Sequence, residues 1–380
     1  MDVVAAICAD SPIGDGRVRV LHLTDHYPPA MGGIEAHVTG LAHRQALRGD
    51  SVTVLTSTPR TAEGETSADT GPVQVIRARS LMEGLRTRVE DFDLVHAHVS
   101  VVAPFAAPLV GVLSRRGVPT VVTVHSLWSG MGPLPMWAAA LTGMRGAPVV
   151  WTAVSRVAAS EVQRRLRGGA PVHVIPNAVE APPRLFTPSP SDGGVRLVST
   201  MRVAHRKRPL ELLRIFERVR GAARVPVTLT VVGDGPLRQG VERLARRMDL
   251  AHCIRVTGRL APGRVLDELA RSDVYVAPAV LESFGLAALE ARGVGLPVVG
   301  RLGTGLADFI EDGRAGLLCA NDSEMTAALV SLVDDVAVRR RMSEHNRTVE
   351  HGMSWAHSLD THERIYSLTR GVRLEAVLST

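Results

Sequence analysis

Short runs of β-branched and other apolar residues alternate along the chain with stretches whose apolar positions recur every three to four residues. In the first half the runs lie at Arg17–Thr24, Ser51–Thr56, Leu94–His98, Thr120–Val124, Val149–Val154 and His173–Pro176. Each is close to continuous in apolar side chains, which predicts strands covered by helices on both faces. The pattern starts afresh at Val195–Thr200 and continues at Val227–Val232, Ile254–Thr257, Val274–Pro278, Pro297–Val299 and Gly316–Leu318. Strand–helix alternation of this kind predicts parallel α/β architecture. Between the halves, Ala181-Pro-Pro183 and Thr187-Pro-Ser-Pro-Ser-Asp-Gly-Gly194 have the proline, serine and glycine density of a linker.

The chain has 380 residues, more than one hydrophobic core usually organises. We therefore expect two doubly wound α/β domains facing a central cleft, residues 17–180 and 195–354, joined by a linker at 181–194. Residues 1–16 read as a disordered extension, and 355–380 as a helical segment packing back across the domains. Residues Met1–Gly16 show no secretion signal. The longest apolar stretch, Val99–Leu113, contains Pro104 and Pro108, is too short to span a bilayer, and reads as a buried helix. Cys8, Cys253 and Cys319 are odd in number and far apart, which suits a reducing compartment and gives neither a disulfide framework nor zinc spacing. These features together predict a cytoplasmic protein.

Charge narrows the partners. Lys and Arg number 44 against 38 Asp and Glu, a net charge of +6. The arginines are spread along helix-like segments, with clusters such as Arg243, Arg246 and Arg247 reading as solvated faces. Aromatic residues make up 3%, too few for base-stacking platforms, and no nucleic-acid motif accompanies the charge, so no nucleic-acid partner is expected. A basic surface leaves room for weak peripheral contact with the cytosolic face of an anionic membrane.

One position stands out from the arginine-rich background: Lys207 is the sole lysine. An ammonium is a compact point charge suited to gripping one phosphate, where guanidinium is a planar fork. Lys207 and Arg202 follow the strand Val195–Thr200 and precede a helix expected from Pro209, at the strand end where open α/β sheets bind ligands. A second constellation is Glu282-Ser-Phe284-Gly285-Leu286 followed by Glu290. A helix starting near Phe284–Gly285 would offer backbone N–H groups to an anion, and Glu290, just over a turn further on, would reach the hydroxyls of an adjoining sugar.

Glu282 and Glu290, with Phe284-Gly285 between them, resemble the paired-glutamate motif of retaining glycosyltransferases of family 4, the GT-B type with two Rossmann-like domains. The resemblance extends over Tyr27–His37 with Gly32-Gly33, Ala153-Val-Ser155, Ile175-Pro-Asn177, Val232-Gly233-Asp-Gly235-Pro236 and Gly313–Leu317. The chain departs from the family's usual pattern at Met201, Ala279 and Asp308, where glycine, serine and glutamate are more common. The resemblance implies a donor diphosphate neutralised by Arg202 and Lys207, with the backbone of Gly32 and Gly33 close by. It implies Glu282 facing the transferred sugar, and Phe284, Gly285 and Leu286 offering backbone N–H groups. It also implies Glu290 holding the nucleotide ribose and His125 contacting the donor sugar.

The activity so implied is retaining transfer of a hexose or N-acetylhexosamine from a nucleoside-diphosphate sugar, uridine-linked, to an acceptor hydroxyl that the sequence does not identify. No metal and no cofactor are expected, because two cations and a helix N-terminus stand where other transferases place a metal. Asp91-Phe-Asp93 reads as a turn or edge feature. His96 and His98 read as core or edge residues. The readings left open are a non-catalytic sugar-nucleotide-binding partner of another transferase and a sugar-nucleotide epimerase on a related fold. A dehydrogenase is disfavoured because the first strand lacks the Gly-x-Gly-x-x-Gly fingerprint.

Overall fold

A computed structural model describes residues 17–60, 71–129, 147–166, 169, 171–180 and 193–378. The N-terminal stretch 1–16, most of the linker and most of the glycine-rich segment after Trp128 lie outside the described residues. Among the described residues the chain builds two all-parallel sheets. The first has strand order β3-β2-β1-β4-β5-β6-β7 and the second β10-β9-β8-β11-β12-β13.

In the first sheet β1 is Arg19–Thr24, β2 Ser51–Thr56, β3 Gln74–Arg77, β4 Leu94–Val99, β5 Thr120–Val124, β6 Val150–Ala153 and β7 Val172–Val174. The central strand β4 is buried at all six positions, His96 and His98 included, and it pairs with β1 on one side and β5 on the other. The edge strand β3 was not expected from the sequence. Its four residues, Gln-Val-Ile-Arg, are partly exposed and too few to show a periodicity. The stretch Val99–Leu113 divides into the end of β4, a loop and a helix at Ala106–Leu113, because Pro104 interrupts it before Phe105. Asp91 closes a short 3₁₀ turn, and the backbone N–H and guanidinium of Arg19 donate to Asp93 at 2.8 and 2.9 Å, so this acidic pair ties off the start of β1.

The second sheet contains β8 Val195–Thr200, β9 Val227–Val232, β10 Ile254–Gly258, β11 Val274–Val276, β12 Val298–Arg301 and β13 Gly316–Cys319. Its core gathers Leu213, Phe216 and Val219 from the helix Pro209–Ala222 against Leu197, Leu229 and Val276. Pro209 opens that helix at its first turn, where a missing N–H costs nothing.

The helix Trp355–Leu378 returns to the first sheet. Ile365 and Tyr366 pack with Val20, Leu94, Val121 and Ile175, and Trp355 stacks on His37 with ring centroids 5.6 Å apart. Among the described residues no helix is long and apolar enough to cross a membrane.

Candidate active site

In the second sheet the loop after β8 carries Arg202 and is held by the turn after β9. Gly233 has φ 134°, and a Cβ there would lie 1.9 Å from the Met201 carbonyl, so only glycine permits the approach. The Val203 N–H donates to Asp234 O at 2.9 Å and the Leu237 N–H donates to Val203 O at 3.0 Å. The Arg202 side chain projects from this loop, exposed. Five residues on, a 3₁₀ turn at His205–Lys207 leads into Arg208, whose φ of 54° is unusual for a residue with a side chain. Its guanidinium holds that conformation by donating to both Asp322 oxygens at 2.9 and 2.8 Å and to Pro278 O at 3.1 Å. Arg301 donates to the same carboxylate at 2.9 Å.

This frame aims Lys207. Its Nζ donates to Glu282 Oε2, so the structure joins two residues the sequence assigned to different parts of the donor. Glu282 is mostly shielded, with 15% of its side chain exposed against 36% for Lys207. Gly285, at φ 97°, forms the left-handed N-terminal boundary of the helix Leu286–Gly293, and its next backbone N–H groups begin that helix without a side-chain cap. The ring of Phe284 is buried and packs on Phe309 at 5.3 Å, which leaves only its backbone for a ligand. Glu290 sits one turn into the same helix, and burial pushes its carboxyl up to about 7.

On the first sheet, Gly32 and Gly33 open the helix Gly33–Leu47. A Cβ on Gly32 would strike the Glu35 carboxylate at 2.5 Å, whereas one on Gly33 would meet nothing within 4 Å. His125 follows β5 directly, and its backbone N–H donates to Val99 O at 2.9 Å. Its Nε2 lies 3.0 Å from Nδ1 of His98, whose Nε2 lies 3.0 Å from Nδ1 of His22. His22 Nε2 lies 2.7 Å from Gln45 Oε1.

His96 stands beside these rings, with its nitrogens 2.8 Å from the Tyr366 hydroxyl and 2.7 Å from Thr123 Oγ1. Burial holds all of these rings neutral: His22 falls to about 4 and His125 to about 3, and His96 and His98 are driven well below the usual imidazole value. His22, His96 and His98 have ligand atoms within 4.8 Å of one another, the spacing of a metal triad. Each of their six ring nitrogens, however, already has a hydrogen-bond partner.

The two sheets meet at the site. Ser283, next to Glu282, donates its hydroxyl to His125 O at 2.6 Å, and Ser155 donates to Ser283 O at 2.5 Å. Asp308, one of the departures from the family pattern, accepts from the Arg156 backbone at 2.8 Å and from its guanidinium at 3.0 Å. Arg206 reaches across to Leu127 O at 3.2 Å. Beside this junction lies an open groove of about 440 Å³ lined by Asp25, His26, Ser100, Ser126 and Arg206.

Lys207, Glu282, Gly285 and His125 are thus brought to one junction, while among the described residues Gly32 and Gly33 share hydrogen bonds only with their own helix. Sequence reasoning named Asp308 only as a departure from the family pattern, and it missed Ser283 and the histidine line. Its only signal was histidine at three positions, 22, 96 and 98, inside otherwise apolar strands.

The sequence model for Glycosyltransferase Family 4 matches residues 31–181, and that for Glycosyl transferases group 1 matches residues 194–335, together well over half the chain. A glycogen synthase of Mycobacterium tuberculosis is 27% identical over 87% of this chain and 89% of its own. A GDP-mannose-dependent phosphatidylinositol monomannoside mannosyltransferase of Mycolicibacterium smegmatis is 26% identical over 95% and 98%. Among solved structures, Anabaena HepE in complex with UDP and glucose superposes with a TM-score of 0.74 at 17% identity, over 92% of this chain and all of that one. Sucrose-phosphate synthase from Thermosynechococcus elongatus gives 0.72 at 20% identity, over 93% and 99%. The paired glutamates, the two parallel sheets and these relatives agree, and the chain belongs to the family 4 glycosyltransferases of the GT-B fold.

Proposed function

We propose that this glycosyltransferase moves a hexose or N-acetylhexosamine from a uridine-diphosphate sugar to an acceptor hydroxyl, with retention at the anomeric carbon and without a metal. The observation that carries the reading is the Lys207–Glu282 contact beside the helix start at Gly285, joined to His125 through Ser283. A nucleoside diphosphate leaves with growing negative charge, and stabilising that charge is the largest catalytic demand. Lys207, the exposed Arg202 and the free N–H groups after Gly285 supply fixed positive potential there.

In the structure Lys207 is neutralised by Glu282. An arriving diphosphate competes for the ammonium, and Glu282, released, orients the sugar or steadies positive charge at the anomeric carbon. The acceptor hydroxyl attacks from the face the leaving group departs, and an oxygen of the donor phosphate takes its proton. Glu290 accepts from ribose hydroxyls. The groove lined by Asp25, His26 and Arg206 receives the acceptor. A structural neighbour that holds UDP and glucose supports the uridine donor, although two relatives carry GDP-mannose in their names.

Calorimetric binding of UDP, GDP and ADP to the wild type and to Lys207→Ala, with and without magnesium, tests the reading. UDP should bind best, magnesium should change little, and the variant should lose about tenfold in affinity, as expected for a charge-assisted phosphate contact. Preference for another base would move the donor assignment alone. Binding indifferent to Lys207 would sink the site.

A further inference from the structure

The buried polar line in the first domain has a direction. One end is a backbone carbonyl, Val122 O, which can only accept, and the Thr152 hydroxyl donates to it at 3.3 Å. With that proton committed, Thr152 Oγ1 accepts from Thr123 Oγ1 at 2.5 Å. Thr123 in turn accepts from His96 Nε2–H, so Nδ1 of His96 carries the lone pair and accepts from the Tyr366 hydroxyl. Having donated, Tyr366 accepts from the Gln45 amide at 3.1 Å, which turns Gln45 Oε1 toward His22. His22 donates from Nε2 to that oxygen, and its Nδ1 accepts from His98 Nε2–H. The last link is forced: His98 Nδ1 accepts from His125 Nε2–H.

We infer that this one-directional chain, running from His125 through His98, His22, Gln45, Tyr366 and His96 to the Val122 carbonyl, locks His125 as the Nε2–H tautomer. Its Nδ1 lone pair is thereby presented as an acceptor for a hydroxyl of the donor sugar.

Reversing every link leaves Val122 O without the Thr152 proton, one hydrogen bond fewer, in a line whose rings are entirely buried. Desolvation keeps the histidines neutral, so no ring can donate from both nitrogens and break the sequence of roles. Nδ1 of His125 has no partner among the described residues, and His125 follows β5 directly, next in the chain to Ser126, which lines the groove. His98, His22, Gln45 and Tyr366 are on this account positioning residues: none touches substrate, and each sets the hydrogen on the next. The assignment of a sugar hydroxyl as the partner rests on the proposed function, whereas the tautomer lock does not.

Nitrogen-15 spectra of histidine-labelled protein at neutral pH test it, with His125→Gln used to identify the ring's signals. The expected result is a protonated Nε2 and an unprotonated, imine-type Nδ1 on His125. A protonated Nδ1, or an imidazolium, would overturn the inference with no variant needed. Tyr366→Phe removes the hydroxyl oxygen that accepts from the Gln45 amide, which is then free to turn and reverse the arm that ends at His125. This variant should show both His125 tautomers and about a fivefold lower kcat/KM for sugar transfer, with UDP affinity unchanged. A single Nε2–H tautomer persisting in the variant would show that Tyr366 sets nothing and would equally overturn the chain. If the lock is seen but His125→Ala transfers sugar at the wild-type rate, the contact with the donor sugar fails and the tautomer assignment stands.

Discussion

The two domains keep their polar chemistry in opposite places. In the second, Arg202, Lys207, Glu282 and Glu290 stand on loops and in the first turns of a helix at the ends of strands, and the core beneath them is largely apolar. In the first, the polar groups run through the sheet itself, with His22, His96 and His98 at most 1% exposed inside β1 and β4 and only His125 at the strand end. The second arrangement suits a mobile anionic ligand, which needs charges that can change partners, as we propose for Lys207 and Glu282. The first suits a fixed geometry, since a buried, fully bonded network has no low-energy alternative nearby. The difference teaches that, under the proposed function, one domain would supply charge and the other orientation.

Acid should break the comparison most severely. The histidines of the first domain are held well below the unfolded value of 6.5, with His22 and His362 at about 4 and His125 at about 3. The unfolded chain therefore binds protons that the folded chain refuses. Their neutral burial is fully compatible with the fold above about pH 6.5 and becomes a growing penalty as pH falls towards 4. Hydrogen exchange followed segment by segment down the pH scale should show β1, β4 and β5 losing protection before β8, β9 and β11. Simultaneous loss in both sheets would remove the contrast.

Glu290→Gln should have a smaller effect of opposite sign on the second domain. Glu290 is raised from 4.5 to about 7, so the folded chain favours its protonated form, and the stability this contributes at low pH is lost as pH rises through that range. The glutamine variant, which does not titrate, should melt higher than wild type above pH 7 and equally at pH 4. Nucleotide affinity should rise with pH through about 7 in the wild type and stay flat in the variant, provided the carboxylate holds the ribose. An unchanged melting curve at pH 8 would place Glu290 in better contact with water than the structure does.

The smallest effect belongs to the junction. Arg156→Ala removes a guanidinium that is 72% exposed from Asp308, which is 8% exposed, and leaves the backbone donor to Asp308 in place. The cost in global stability should be about 0.5 kcal/mol. The UDP affinity of this variant would sharpen the comparison, since a change there would tie orientation of the two domains to donor binding.

What could be read in the sequence follows the same division. The strands were legible because parallel sheets bury both faces and so leave continuous apolar runs, and Gln74–Arg77 escaped because a four-residue edge strand leaves none. Lys207, Glu282, Gly285 and Glu290 were legible because strand ends and helix starts mark themselves locally. That Lys207 would hold Glu282, 75 positions away, was not, because spacing along a chain says nothing about which loops a sheet order brings together. His96 and His98 looked like core, and they are core. The role we infer for them depends on Gln45 and Tyr366, which come from separate helices and carry no motif.

Tyr366 also bears on how the molecule is made. It belongs to the helix Trp355–Leu378, yet it completes a network whose other members lie between His22 and Thr152. During synthesis the first sheet emerges early and must wait, with one face uncovered by Ile365 and Tyr366, until the whole second domain has been translated. The first domain is thus discontinuous in the gene, and the order in which the ribosome delivers the chain means that His125's surroundings cannot be completed before Tyr366 has been made.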